Sequence, residues 1–126
     1  MPLARTATRP GPEGVGLAFL AELGVTFVLL LVILHVAATA SIARFTGVFA
    51  ALLVGLYITF EAPYSGMSMN PARTVGSAIF AHQWMAAWIY FVAPPIGMFA
   101  AAELFVRLHG PRARLCANLS HLEGVR

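Results

Sequence analysis

The sequence of 126 residues contains no lysine and no aspartate, so its eight basic residues are all arginine and its five acidic residues are all glutamate. Mechanisms that need an Asp ligand or a Lys base are therefore excluded. The single cysteine, Cys116, permits no intrachain disulfide, and the four histidines have neither metal-site spacing nor a second thiol nearby. No nucleophile–base pair or carboxylate dyad can be assembled from the remaining side chains. We therefore predict no metal site, no cofactor and no enzymatic activity.

Charge is also scarce. Only 10% of the residues are charged and 60% are hydrophobic, whereas about a quarter of an average soluble domain is charged. The net charge of +3 comes from arginines that sit beside apolar runs and form no polybasic face, which argues against nucleic-acid binding. The lipid bilayer is the expected surrounding of this chain.

Three apolar runs follow a polar lead of residues 1–14, and a polar tail of residues 109–126 follows them. We expect helices at about 15–40, 44–61 and 84–108, because ~20 helical residues cross a ~30 Å hydrocarbon core. The second run is short and spans only with its flanks. A cleaved signal peptide is the alternative for the first run, but that run exceeds the ~7–15 apolar residues that such a peptide uses.

The segment of residues 62–80 is too polar for a span and too apolar for a plain surface loop. Asn70 is a good N-cap and Pro71 suits the first helical position, so a helix should run from Pro71 to about Phe80, for ~15 Å, half the apolar thickness. Non-helical backbone at membrane depth is tolerated only where protein covers it or water wets it. The predicted fold is therefore an all-α membrane protein with three transmembrane helices and one re-entrant half-helix beside a polar cavity.

The start of this half-helix would suit neutral solutes. The side-chain oxygen of Asn70 can cap the N–H of Ala72 or Arg73, which leaves its NH2 group as a donor for a passing molecule. Arg73 adds a fixed positive charge at the positive end of the helix dipole, which repels cations. The alternative is a plain N-cap with Arg73 as a snorkelling side chain.

Three parts of the sequence together resemble the aquaporins, or major intrinsic proteins. The run Ser65–Thr74, Ser-Gly-Met-Ser-Met-Asn-Pro-Ala-Arg-Thr, is similar to the second Asn-Pro-Ala signature of that family. Glu22 and Thr26 resemble the Glu-x-x-x-Thr of its fourth helix, and Trp88–Pro94 resembles the start of its sixth. The resemblance runs from Val15 to Leu108 and covers the C-terminal half of such a channel.

The resemblance implies a passive channel for water or small neutral solutes, with water expected before glycerol or a metalloid hydroxide. It assigns six residues to the pore and its selectivity filter: Asn70, Pro71, Ala72, Arg73, Ile58 and Met67. It also implies that Glu22 and Thr26 support the re-entrant loop. From the residues alone Glu22 is a hydrogen-bonded strut, a protonated core residue or a proton relay, since a lone charge at that depth is costly.

A full channel of this kind has two inverted repeats, and the chain resembles only the second. We expect a partner chain that carries the first half, a longer chain upstream, or a homo-oligomer such as the tetramer of the family. The alternative function is a truncated, non-conducting membrane subunit that only packs against other helices.

The arginines predict one orientation, in the plasma or inner cell membrane with the C-terminus cytoplasmic. On the topology of the family, Arg5 and Arg9 lie outside, and five arginines lie inside: Arg44, Arg107, Arg112, Arg114 and Arg126. A single orientation opposes the pairing of two antiparallel copies.

Overall fold

The computed structural model describes residues 8–82 and 84–110. Within these ranges the helices are α1 (Val15–Ala38), α2 (Thr46–Phe60), α3 (Ala62–Ser65), α4 (Pro71–Ala81) and α5 (Trp88–His109). A 3-10 turn, Ala43–Phe45, leads directly into α2. The predictions that concern Arg5, Cys116 and the tail arginines Arg112, Arg114 and Arg126 lie outside the described residues.

Three of these helical segments are long and apolar enough to cross a membrane. They comprise 24 residues in α1, 18 residues when the 3-10 turn is joined to α2, and 22 residues in α5. α4 has 11 residues and, at a rise of ~1.5 Å per residue, reaches only about half of a bilayer core. The predicted all-α membrane fold is confirmed.

The third span begins later than predicted, at Trp88 instead of Trp84. Trp84 to Ala87 form a turn, in which the N–H of Ala87 donates to the carbonyl of Trp84 at 3.2 Å. Ala86 has φ of 54°, a left-handed conformation that cannot continue a right-handed helix. The short helix α3 was not predicted: within residues 62–80 we expected a helix only from Pro71 onward.

α1 and α5 form the main packing contact of the structure. Their shared core consists of Ala18, Ile89, Tyr90 and Ala93, all fully buried. Further along α5, a Cβ on Gly97 would lie 2.4 Å from the Thr26 hydroxyl oxygen and 2.5 Å from the carbonyl oxygen of Leu23. Small residues allow membrane helices to approach closely, so Gly97 sets the distance between these two helices.

α2 lies beside α1, and no residue of its span is buried by the described parts of the chain. Its exposed apolar side chains include Leu52, Leu56 and Ile58. A surface of this kind is stable against lipid or against another membrane helix, because neither requires polar side chains.

The lead packs across α3 and α4. The Gly11 N–H donates to the Tyr64 carbonyl at 2.7 Å, and the hydroxyl oxygens of Thr8 and Ser77 are 3.2 Å apart. Gly66 ends α3 with φ of 76°, and a Cβ there would lie 2.9 Å from the backbone nitrogen of Arg9. Both its backbone conformation and the close approach of the lead therefore require glycine at this position.

Candidate functional site

A loop of residues 66–70, here called the connecting loop, joins α3 to α4. Two of its non-glycine residues have left-handed backbone, Met67 with φ of 46° and Met69 with φ of 49°. This conformation is unfavourable for residues with a Cβ and persists only where surrounding structure enforces it. The loop must therefore be held by contacts from outside itself.

Glu22 of α1 provides these contacts. Its side chain is fully buried, and its carboxylate accepts three hydrogen bonds: from the Ser65 hydroxyl at 2.8 Å, the Ser68 N–H at 2.6 Å and the Met69 N–H at 2.8 Å. Two of the donors are backbone groups of the connecting loop, which would otherwise be buried without partners. Hydrogen bonds to a carboxylate are stronger than neutral ones, so this one side chain fixes the shape of the loop.

Ser65 joins this contact to two other elements. Its backbone carbonyl accepts a hydrogen bond from the buried Tyr90 hydroxyl of α5, and its hydroxyl oxygen also contacts a carboxyl oxygen of Glu61 at the end of α2. Burial raises the pKa of Glu61 above its ordinary value, the Ser65 hydrogen bond opposes this rise, and the nearby Glu22 charge adds to it. The loop is thus tied to α1, α2 and α5 through one serine.

The first turn of α4 presents polar groups on an uncovered face. Asn70 has extended backbone and its side-chain oxygen accepts from the Ala72 N–H at 2.9 Å, which leaves the NH2 group of the amide free of the cap. Pro71 occupies the first helical position. Asn70 and Arg73 are both exposed, and the positive end of the helix dipole lies at the same place. The arrangement can donate hydrogen bonds to a neutral solute and repel a cation.

A model of the family "Major intrinsic protein" matches residues 3–105, most of the chain. The chain belongs to the major intrinsic protein family. The predicted resemblance to this family is thereby confirmed.

Several plant members of the family are similar to the chain. It is 37% identical over 108 residues to a probable aquaporin NIP4-2 of Arabidopsis thaliana, which covers 82% of this chain and 37% of that protein. It is 36% identical over 105 residues to aquaporin NIP3-1 of Oryza sativa subsp. japonica, with 82% and 34% covered. Nodulin-26 of Glycine max is 35% identical over 96 residues, with 75% and 35% covered. The chain therefore spans little more than a third of the length of these relatives.

In this major intrinsic protein chain the six predicted pore residues do not share one environment. Asn70, Ala72, Arg73 and Ile58 are exposed and Pro71 is partly buried. Met67 differs from the expectation for a filter residue, since only 1% of its surface is exposed. Met67 has left-handed backbone, and its N–H donates to the Ser65 hydroxyl oxygen at 3.1 Å. In this conformation its side chain packs among the helices.

Glu22 and Thr26, the two residues predicted to support the loop, make different contacts in the structure. Glu22 bonds to the connecting loop as described, whereas the Thr26 hydroxyl donates back within α1, to the carbonyls of Glu22 at 2.7 Å and Leu23 at 3.1 Å. Among the described residues Thr26 makes no hydrogen bond to the loop. Its neighbour across the interface is Gly97 of α5, so Thr26 contributes to helix packing and reaches the loop only through its own helix.

Sequence reasoning missed Glu61, Ser65 and Tyr90 as parts of the site. Residue 61 is only the end of the second predicted helix, and Tyr90 only a member of the run Trp88–Pro94 that resembles the sixth helix of the family. One local signal was available: Glu61 and Ser65 are four residues apart, a spacing at which side chains meet when the segment is helical. The short helix α3 supplies that geometry.

Proposed function

We propose that this chain is one half of a passive transmembrane channel for water or small neutral solutes. Its partner is a complementary half that carries the first repeat, on a separate chain or on a longer one. Asn70 and Arg73 act as the polar selectivity groups, and no chemical step is involved. The chain lies in the plasma or inner cell membrane with its C-terminus in the cytoplasm.

The observation that carries the proposal is the capped start of the half-length helix. Asn70 satisfies the Ala72 N–H with its side-chain oxygen, so the orientation of its NH2 group is fixed without a further contact. A donor beside an exposed guanidinium and a helix N-terminus suits a solute that is neutral and accepts hydrogen bonds. The names of the matched relatives, several of them aquaporins, support the same class of solute.

The length of α4 supports a half-channel. Its 11 residues extend ~16 Å, whereas a path across the bilayer core is ~30 Å long. A second half-helix that enters from the opposite side would complete the path, as inverted repeats do in transporters and channels.

The second candidate function is a subunit that packs against other membrane helices without conducting. The uncovered span of α2 favours it, because that surface fits any apolar helix and needs no pore to be stable.

Osmotic shrinkage of liposomes, followed by stopped-flow light scattering, separates the two candidates. The chain is reconstituted alone and together with the first-repeat half of Nodulin-26 from Glycine max, and flotation verifies that equal amounts of protein are inserted. The half-channel proposal predicts that the chain alone matches empty vesicles and that the mixture shrinks faster. Co-assembly of the two halves without faster shrinkage would favour the packing subunit.

The same experiment tests orientation. If the chain alone accelerates shrinkage, its copies assemble a pore by themselves, which requires antiparallel pairing. Protease protection of terminal tags on the inserted chain would then find both orientations instead of the one that the arginines predict.

A further inference from the structure

We propose that Glu61 is a protonated positioning residue of the connecting loop: its carboxylic O–H donates to the Ser65 hydroxyl oxygen, and that hydroxyl donates to the Glu22 carboxylate. Glu61 thereby holds the loop through Ser65, in addition to the contacts that Glu22 makes. The inference concerns the same site as the proposed function and relies on that function only for the role of the loop in a pore.

The contacts of the Ser65 hydroxyl require that one of its two acidic neighbours, Glu22 or Glu61, donates a hydrogen bond. The Ser65 hydroxyl oxygen has one hydrogen and two lone pairs, and it has three polar neighbours: Glu22 at 2.8 Å, Glu61, and the Met67 N–H, which donates to it at 3.1 Å. If both acids were ionised, Ser65 could donate to only one of them. The other carboxylate would then face a lone pair of the Ser65 hydroxyl oxygen at close range in a buried position, which is unfavourable.

The proton belongs on Glu61 because Glu22 has the donors that stabilise a charge. The carboxylate of Glu22 accepts two backbone N–H groups, from Ser68 and Met69, in addition to the Ser65 hydroxyl. These three hydrogen bonds offset the cost of burying a charged carboxylate. The Glu61 side chain bonds only to Ser65 among the described residues, and its second carboxyl oxygen is buried with no partner there. A neutral acid avoids the cost of burying an unpaired charge.

The charges around Glu61 favour the same assignment. Glu22 on α1 is close enough to disfavour a second negative charge, and burial acts in the same direction by raising the pKa of Glu61. The other titratable side chains on the surrounding elements include Tyr57 on α2, Tyr64 on α3, Tyr90 on α5 and the exposed Arg9 in the lead. The same elements also carry Glu13 in the lead, His35 on α1, and Glu103, Arg107 and His109 on α5.

With Glu61 protonated, each contact of the Ser65 hydroxyl pairs one donor with one acceptor. Ser65 accepts from Glu61 and from the Met67 N–H and donates to Glu22, and Glu22 accepts three bonds in total. Ionisation of Glu61 would remove the donor and force Ser65 to divide one hydrogen between two carboxylates. Ser65 would then lose its hydrogen bond either to Glu22 of α1 or to Glu61 at the end of α2.

The test is infrared spectroscopy of the full chain in lipid vesicles at neutral pH. The C=O stretch of a protonated carboxyl group is compared between the parent, Glu61→Gln and the control Glu103→Gln, whose side chain is exposed in a salt bridge with Arg107. The proposal predicts the band in the parent and the control and its loss in Glu61→Gln. Absence of the band from the parent, or its persistence in Glu61→Gln, would overturn the proposal.

Amide hydrogen exchange of the connecting loop provides a second readout and does not depend on conduction. Glu61→Gln retains a donor toward Ser65 and should protect residues 66–70 as the parent does, whereas Glu61→Ala should lose several-fold of that protection. Equal protection in Glu61→Ala and Glu61→Gln would contradict a positioning role. Because neither measurement needs a pore, both can succeed where the permeability experiment fails, and the two proposals are tested separately.

Discussion

Replacing Glu22 by glutamine tests whether one carboxylate holds the connecting loop. Glu22 receives its three hydrogen bonds on both oxygens, two on Oε1 and one on Oε2. Glutamine has one acceptor oxygen, so its NH2 group must face at least one backbone N–H of the loop. Two donors then oppose each other in a fully buried position, whichever way the amide is turned.

The magnitude follows from the bonds lost. A hydrogen bond to a charged group contributes roughly 1.5–3 kcal/mol net, and a buried donor without a partner costs about 1–3 kcal/mol. Because glutamine keeps some of the bonds in neutral form, we expect Glu22→Gln to lower the free energy of unfolding by ~2–4 kcal/mol.

The assay is unfolding of the detergent-solubilised chain by added SDS, followed by circular dichroism. Glu103→Gln is the matched control, because its exposed ion pair should contribute less than ~1 kcal/mol. If Glu22→Gln unfolds at the same SDS fraction as Glu103→Gln, the carboxylate does not support the loop and the reasoning is refuted.

Three further predictions use the same unfolding assay. Gly97→Ala should destabilise the fold by about 1–3 kcal/mol, because the new Cβ would lie 2.4 Å from the Thr26 hydroxyl oxygen. Gly55→Ala is the control, since a Cβ there meets nothing within 4 Å. Equal stability of the two variants would contradict this packing. Asn70→Ala removes the cap of α4 and should cost ~1 kcal/mol, while Asn70→Asp keeps an acceptor and should retain most of the stability, so equal losses would argue against the cap. Burial raises the pKa of Glu61 in the folded chain above 4.5. The protonated Glu61 side chain therefore contributes its full stabilisation of the fold below the pKa of the unfolded state, and this contribution is lost as pH rises through the pKa of the folded state. The unfolding midpoint should therefore fall as pH increases above 4.5, and Glu61→Gln should remove this slope; an unchanged slope would contradict it.

The features that the sequence predicted are local ones. Run length and apolarity locate the three spans, since ~20 apolar helical residues are required wherever a bilayer is crossed. The start of α4 was equally accessible, because the Asn70 cap and the position of Pro71 depend on neighbours within two residues.

The features that it missed depend on packing between distant segments. Ser65 and Glu22 are 43 residues apart in sequence, and their contact exists only because α1 and α3 come together. The buried position of Met67 depends on a left-handed backbone, which the sequence could not predict because position 67 is not a glycine, asparagine or aspartate. The late start of α5 has the same cause, since left-handed backbone at Ala86 interrupts an otherwise helical pattern.

Glu22 and Thr26 show the limit of a spacing argument. Their separation of four residues correctly places them on one face of α1. The spacing does not reveal that only Glu22 reaches the loop, whereas the Thr26 hydroxyl bonds within its own helix. That difference arises from the length of the side chains and from the close approach of α5 at Gly97.

The central claim, that the first turn of α4 faces a path for neutral solutes, is tested most directly by permeability of the Arg73→Ala variant. Liposomes containing the chain and its complementary half are compared in the stopped-flow shrinkage assay with the same assembly carrying Arg73→Ala or Arg44→Ala. Arg44 is also exposed, but it lies in the 3-10 turn that precedes α2, whereas α3 and α4 follow α2. Its guanidinium lies over the ring of Phe45. The account predicts that Arg73→Ala changes water permeability or admits protons while Arg44→Ala behaves as the parent. Identical water and proton permeability in all three assemblies would contradict it.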